Sequence, residues 1–383
     1  METRGPGLSV VHVADANAVT ALGPGADTLW EALLAGRSGL TPVRRFATDN
    51  YPCHQAGCIA SLDPEPQTSR LDRLMEMVFD GIEPIPPETT LLTATTKGGI
   101  DQLERVVRGQ ETSRDRILGH TIADAMAARL GLKGPRNNIN AACASAAVAL
   151  ALGAARIQHG LVDSVLVCGL DLVSEFTFSG FAALKALSPD VCRPFDVARE
   201  GLVLGEGAAY VLLMSERALR RTKRRSLGHL VGWGIASDAH HVTAPSRTGE
   251  GLVLAIRQAL AGAALTAADV AAVNAHGTGS IYNDAMELAA FGQLFDRLPP
   301  LHSVKGATGH TMGACGTIET IVGLCSLKYQ CLPPTAGLRV PEDIARNCVA
   351  AEAQPFSGEY LLMTNSGFGG INAALILGRE ASI

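Results

Sequence analysis

Apolar runs of strand length alternate along this chain with Ala-rich stretches of helical period. Leu8 to Val13 is followed by a helical stretch Ala26 to Leu34, Asp163 to Leu170 reads as a buried strand, and Ala208 to Met214 runs into a helical stretch Glu216 to Arg225. A strand covered on both faces is apolar throughout, and a helix must carry the chain back to lay the next strand parallel to it. The rhythm therefore predicts βαβ units and a largely parallel, buried sheet, an α/β protein.

A weak internal repeat underlies the rhythm: strand, sharp small-residue turn, long Ala/Gly-rich helix, buried strand. The first copy is Asn138 to Cys143, a helix to about His159, and the strand Ser164 to Gly169. The second is His302 to His310, a helix Thr317 to Tyr329, and the strand Tyr360 to Thr364. Two similar halves, 1–227 and 228–383, would each contribute one sheet.

Composition narrows the function classes. The chain has 383 residues, 47% of them hydrophobic and 18% charged, with a net charge of -5, as expected of a soluble globular protein with a substantial core. Met1 to Gly7 lacks the basic and apolar regions of a signal peptide, and the most apolar stretch, Ala141 to Ile157, is interrupted by Ser145 and Arg156, so neither secretion nor a membrane span is expected. The basic run Arg217 to Arg225 reads as a solvated helix end, and the mildly acidic whole argues against nucleic acid. Nine scattered cysteines fit a reducing, cytoplasmic setting. Cys53, His54 and Cys58 lack a second pair at zinc-ligand spacing, and no phosphate-binding loop or dinucleotide fingerprint is present, so neither metal nor cofactor is expected.

The candidate chemistry begins at Cys143, read as the first residue of a helix after a buried strand end. There the unpaired N–H groups and the helix dipole would favour a thiolate, and Ala141, Ala142, Ala144 and Ser145 leave room for an acyl group. Asn274 to Ser280 places His276 in a Gly-punctuated turn at the end of an apolar run. Lys305 to Gly309 leads to His310 in another such turn, with Lys305 placed to fix its tautomer. A third turn, Asn365 to Asn372, has the glycines needed to aim N–H groups into a site, as an oxyanion hole requires.

These words, in this order, resemble the elongating β-ketoacyl-acyl carrier protein synthases. The likeness rests on Asn140-Ala141-Ala142-Cys143; Arg193 to Asp196 with Arg199-Glu200-Gly201 and Gly205 to Ala208; Asn274 to Thr278; Lys305 to His310 with Gly313 and Glu319; and Gly367 to Gly370. The resemblance implies a thiolase fold, duplicated halves in a five-layered αβαβα core, and a homodimer or a heterodimer with a related chain. It implies that Cys143 accepts an acyl chain from the phosphopantetheine of an acyl carrier protein, with N–H groups of Cys143 and Phe368 as oxyanion hole. His276 and His310 would hold the malonyl thioester and the enolate left by decarboxylation, Lys305 and Glu319 would orient His310, and Thr278 and Ser280 would meet the pantetheine. Phe368 would gate the pocket, with Gly369 beside it in the substrate-binding turn.

The chain also departs from that family's pattern. The segment between Leu62 and Ala125 is short, and Thr95-Thr96-Lys97-Gly98-Gly99 puts a lysine where the family has an apolar turn facing the acyl tunnel, which disfavours a long alkyl chain unless its ammonium points outward or finds a partner. Both point to specialised polyketide or polyene-type biosynthesis over housekeeping fatty-acid synthesis. The rival readings are a non-catalytic chain-length-factor-like partner, a thiolase and a Cys-His hydrolase; the complete Cys143, His276 and His310 set argues against the first.

Overall fold

The computed structural model describes residues 10–62, 69–110, 112 and 115–380. The stretch Met1 to Gly7 lies outside them, as does part of the short 62–125 segment.

Ten strands build the central sheet: β1 (Val11–Thr20), β2 (Thr90–Ala94), β3 (Arg136–Ile139), β4 (Ser164–Asp171), β5 (Gly207–Ser215), β6 (Gly228–Ser237), β7 (Val270–Asn274), β8 (Leu301–His302), β9 (Tyr360–Gly367) and β10 (Ile371–Gly378). A two-residue strand, Gly23–Pro24, is added on β1. The spatial order is β8-β7-β9-β10-β6-β1-β5-β4-β2-β3. Outward from the middle, residues 11–215 run first, fifth, fourth, second, third strand, and residues 228–378 run in the same order. Among the described residues, the strands of the two groups pair where β1 meets β6, at His12 with His229 and Val13 with Gly228.

The sheet is mixed, which corrects the expectation of a largely parallel one. β2 runs parallel to β3 and β4, and β7 to β8 and β9, while β5 and β10 are antiparallel to both their neighbours. A strand buried on both faces is apolar whichever way its neighbours run, so apolarity could not reveal direction. A three-residue turn between β9 and β10 permits only a hairpin.

The layers follow from which faces are apolar. Helices α5 (Ser145–Gln158) and α11 (Cys315–Tyr329) supply Ala146, Ala154, Ile318 and Val322 to a core shared by Val165, Leu213, Leu361 and Leu375 of both strand groups, so they form the middle layer. Helices α2 (Arg70–Val78) and α4 (Gly119–Leu130) cover the first group on its outer face, and α8 (Glu250–Ala263) and α9 (Ile281–Gly292) cover the second. The Ala/Gly richness has its reason in the middle layer. A Cβ on Gly316 would lie 2.5 Å from the Ala147 backbone nitrogen, so the two helices touch at backbone distance there.

Helix α1 (Ala26–Leu34) has the predicted bounds, and α7 (Glu216–Thr222) stops three residues early because Lys223 turns left-handed. Four cations of the basic run are ion-paired: Arg217 with Asp163, Arg220 with Glu216, Arg221 with Glu88 and the largely buried Arg224 with Asp15. No helix among the described residues is long and apolar enough to cross a membrane.

Candidate active site

Cys143 does not open its helix. It sits in a turn two residues before α5, and the preceding strand β3 lies at the sheet's edge with its residues partly or fully exposed, correcting the buried strand end expected from the sequence. Ala142 takes φ 50°, a left-handed conformation that lifts Cys143 out of line with the helix. Ser145 holds the turn: its hydroxyl accepts from the Ala141 N–H at 2.9 Å and donates to the Ala142 carbonyl at 2.5 Å. The Gly-rich turn after β9 presses on this elbow from the other half. A Cβ on Gly367 would lie 2.7 Å from the Ala141 carbonyl oxygen and 3.2 Å from the Cys143 nitrogen, so only glycine admits that approach. The Phe368 N–H reaches the Cys143 sulfur.

His310 places Nε2 2.9 Å from Cys143 Sγ, and its ring centroid is 5.3 Å from that of His276. The predicted trio thus shares one site. Lys305 does not orient His310, however. It starts the short helix α10 (Lys305–Thr308), and Gly309, at φ 72°, reverses the chain before His310, leaving the lysine beneath the other imidazole. Lys305 Nζ lies 3.2 Å from His276 Nδ1, donates to the His276 carbonyl and is ion-paired with Glu319. Asn365 Nδ2 also faces His276 Nδ1 at 3.2 Å and donates to Glu319 at 2.6 Å. An ammonium has no lone pair to offer, so Nδ1 of His276 accepts and its proton sits on Nε2. Sequence reasoning missed two neighbours. Asn365 stands in the sequence as one residue of a Gly-rich turn, and Cys315, whose Sγ is 3.2 Å from His310 Nδ1, as one of nine scattered cysteines.

Burial governs the protonation states. It pushes the Cys143 thiol up to about 12, the Lys305 charge opposing it and Asp171 adding to it, so the free thiolate expected at a helix mouth is not formed. Burial and the Lys305 charge together hold His276 and His310 well below the usual imidazole range, so both rings are neutral. Lys305 stays charged: burial works against its proton, but the Glu319 carboxylate outweighs it.

Two further carboxylates, on α9, shape the His276 turn. Glu287 accepts from the N–H groups of His276 and Gly277 at 2.8 and 2.6 Å, and Asp284 accepts from those of Thr278 and Phe195 at 3.0 and 2.9 Å. Their sequence signal was acidic residues in the first two turns of a helix following a Gly-rich loop.

Two cavities meet at Cys143. One, of about 270 Å³, is bounded by His276, His310, Thr278 and Ser280, the last two hydroxyls 2.8 Å apart. The other, of about 340 Å³, is bounded by Lys97, Asn140, Phe176 and Met312. Phe368 and Phe181, stacked with centroids 5.6 Å apart, face both cavities and stand between them. Lys97 is an exposed residue of the second wall, its loop anchored where Asp171 accepts from the hydroxyls of Thr95 and Thr96, each at 2.8 Å. Lys305 and Glu319 lie behind His276 and touch neither cavity. Gly369 lines neither as well, and its N–H donates to the Val242 carbonyl at 2.7 Å. Among the described residues, one grouping has metal-ligand spacing, His12, His229 and Glu380, and it lies at the β1–β6 seam with no part in either wall.

A neutral thiol against a neutral imidazole, with a second imidazole presenting Nε2–H across one cavity, can exchange a proton within the pair and hold an oxyanion opposite it. The chain matches the beta-ketoacyl synthase N-terminal domain over residues 87–218 and the C-terminal domain over 227–339. It is 30% identical to 3-oxoacyl-[acyl-carrier-protein] synthase 2 of Vibrio cholerae serotype O1, over 96% of this chain and 99% of the relative. Among solved structures it is similar to the ishigamide ketosynthase/chain length factor, at TM-score 0.88 and 28% identity over 98% of this chain and 100% of that one. It is also similar to a ketosynthase in complex with its chain length factor from Xenorhabdus doucetiae, at TM-score 0.83 and 26% identity over 99% and 100%.

Proposed function

Because the chain belongs to the β-ketoacyl synthase family, with the thiolase fold and acyltransferase chemistry that this entails, we propose a residue-level course for its condensation. Cys143 takes an acyl chain from the phosphopantetheine thioester of an acyl carrier protein. His310 Nε2 receives the thiol proton as sulfur attacks and keeps it, and the departing pantetheine thiolate takes a proton from water. N–H groups of Cys143 and Phe368 hold the tetrahedral oxyanion. Malonyl-acyl carrier protein then enters by the first cavity, where Thr278 and Ser280 meet its pantetheine. His276, kept as the Nε2–H donor by Lys305 with Glu319 behind it, holds the thioester oxygen together with His310. Loss of carbon dioxide leaves an enolate whose carbon attacks the acyl-Cys143 carbonyl, giving β-ketoacyl-acyl carrier protein and freeing the thiol. The 2.9 Å approach of His310 to Cys143 carries this reading.

The acyl chain on Cys143 lies in the second cavity, with Phe368 as gate. Lys97 on that wall supports a polar or unsaturated polyketide or polyene-type chain over a saturated fatty acid, as does the likeness to the ishigamide ketosynthase/chain length factor. The edge strand β3, directly before the nucleophile elbow, offers a sheet edge for a second copy or a related ketosynthase-like chain. The halves 1–227 and 228–383 carry the thiol and the imidazoles respectively, and nine free thiols suit the cytosol.

Intact-mass measurement after incubation with acyl-acyl carrier proteins tests the proposal. The natural chain should gain the acyl mass, Cys143→Ala should not, and malonyl-acyl carrier protein should convert the loaded enzyme to a β-keto product. Release of free acid would mark a hydrolase. A chain that stays unloaded at Cys143 while a second ketosynthase beside it carries the acyl mass would mark a non-catalytic partner.

A further inference from the structure

The two imidazoles have partners of opposite character. At Nδ1, His276 faces two groups that donate, the Lys305 ammonium and the Asn365 amide, so its proton is confined to Nε2. His310 instead faces a single thiol at Nδ1, that of Cys315 at 3.2 Å, in the first turn of α11 and 1% exposed. A thiol both donates and accepts. Burial raises the Cys315 pKa, so the group stays a neutral S–H, and its other polar neighbour is the Thr311 hydroxyl at 3.5 Å.

We infer that Cys315 is a positioning residue that supports both tautomers of His310 in turn, an inference that rests on the roles given above to Cys143 and His310. To take the Cys143 proton, His310 needs a lone pair on Nε2, with Nδ1–H donated to the Cys315 sulfur. To hold the malonyl thioester oxygen it needs Nε2–H, with the Cys315 S–H donated to Nδ1. The change between them balances. Cys143 loses its proton to Nε2 as its sulfur bonds to the acyl carbon and the pantetheine sulfur leaves. Nε2 keeps that proton. Nδ1 passes its own to the Cys315 sulfur, whose S–H proton leaves toward water by way of the Thr311 hydroxyl at 3.5 Å, and the pantetheine thiolate takes one proton from water. Counting Cys143, Cys315, the ring and the pantetheine together, three protons are held before and three after, and no oxidant or metal takes part.

Two variants separate this from packing. Serine at position 315 keeps a group that donates and accepts, whereas alanine of nearly the same size keeps neither. Single-turnover acyl loading and the subsequent condensation are each timed across pH 6–9. Cys315→Ser should stay within about threefold of the natural chain in both steps, and Cys315→Ala should shift the ratio of the two rates by about tenfold or more, with an altered pH profile, as loss of a proton-transfer partner implies. Unchanged ratio and profile in a folded Cys315→Ala would overturn the inference, and so would equal losses in the serine and alanine variants. Cys143→Ala and His310→Ala run alongside. If either still loads and condenses, the proposed function itself fails; if both are dead while Cys315→Ala is normal, only the role of Cys315 does.

Discussion

Replacing Lys305 by methionine keeps an unbranched stem in nearly the same space and removes the ammonium. Two consequences can be sized from the geometry. Glu319 is 1% exposed and would keep only the Asn365 amide, at 2.6 Å, so the variant buries an unpaired carboxylate. Breaking such a pair from one side costs about 3–5 kcal/mol of stability. At His276 the charged donor facing Nδ1 disappears, and the ring is no longer confined to the tautomer that presents Nε2–H to the cavity. Losing one preorganised donor to an oxyanion slows the chemical step by about 10²–10³-fold. On the proposed course acyl loading of Cys143 uses His310, and it should survive within a few fold. The assay reads loading by intact mass and condensation by product formation with malonyl-acyl carrier protein, at a temperature where circular dichroism shows the variant folded. Lys305→Met/Glu319→Gln removes the stranded charge along with the ammonium, so it should recover most of the stability and none of the condensation. Full condensation by folded Lys305→Met would refute the assignment of the lysine to His276.

Three other perturbations follow from the same structure. His302 is buried with neither ring nitrogen hydrogen-bonded, and burial then the Lys305 charge lower it to about 3, so below pH 6.5 the unfolded chain takes a proton that the folded chain refuses and stability falls with pH. Natural chain minus His302→Leu in urea unfolding free energy should therefore drop by about 2 kcal/mol between pH 7 and pH 5, and a constant difference would rule the account out. Lys97→Leu should raise loading of long saturated acyl chains by about tenfold, as sparing an ammonium about 1.4 kcal/mol of desolvation requires; unchanged chain-length preference would remove Lys97 from the acyl path. Ala142→Gly relieves the left-handed strain at the elbow and should raise thermal stability by up to about 1 kcal/mol, a gain that calorimetry would deny if the φ of 50° were unstrained.

What was legible in the sequence divides along a physical line. Helix α1, the buried strands β4 and β5, and the three Gly-framed turns are local facts, written in runs of apolar residues and in glycines at φ values that other residues avoid. That the turns converge followed from the family's word order, and the 2.9 Å contact between Cys143 and His310, 167 residues apart, agrees with it. The failures concern quantities set by tertiary burial. A cysteine near a helix start looked like a thiolate because the dipole is visible in sequence, whereas the desolvation that pushes its thiol to about 12 belongs to the packed site. Lys305 looked like the partner of His310 because they are five residues apart, yet Gly309 turns the chain between them and hands the lysine to His276, 29 residues away. The difference changes the chemistry: an imidazole backed by a fixed cation can only donate into the cavity, and an imidazole backed by a thiol keeps the freedom to accept first. On the course proposed here a two-step condensation, which takes a proton from sulfur and then holds an enolate oxygen, uses one ring of each kind, and which ring sits nearer the thiol decides the division of labour.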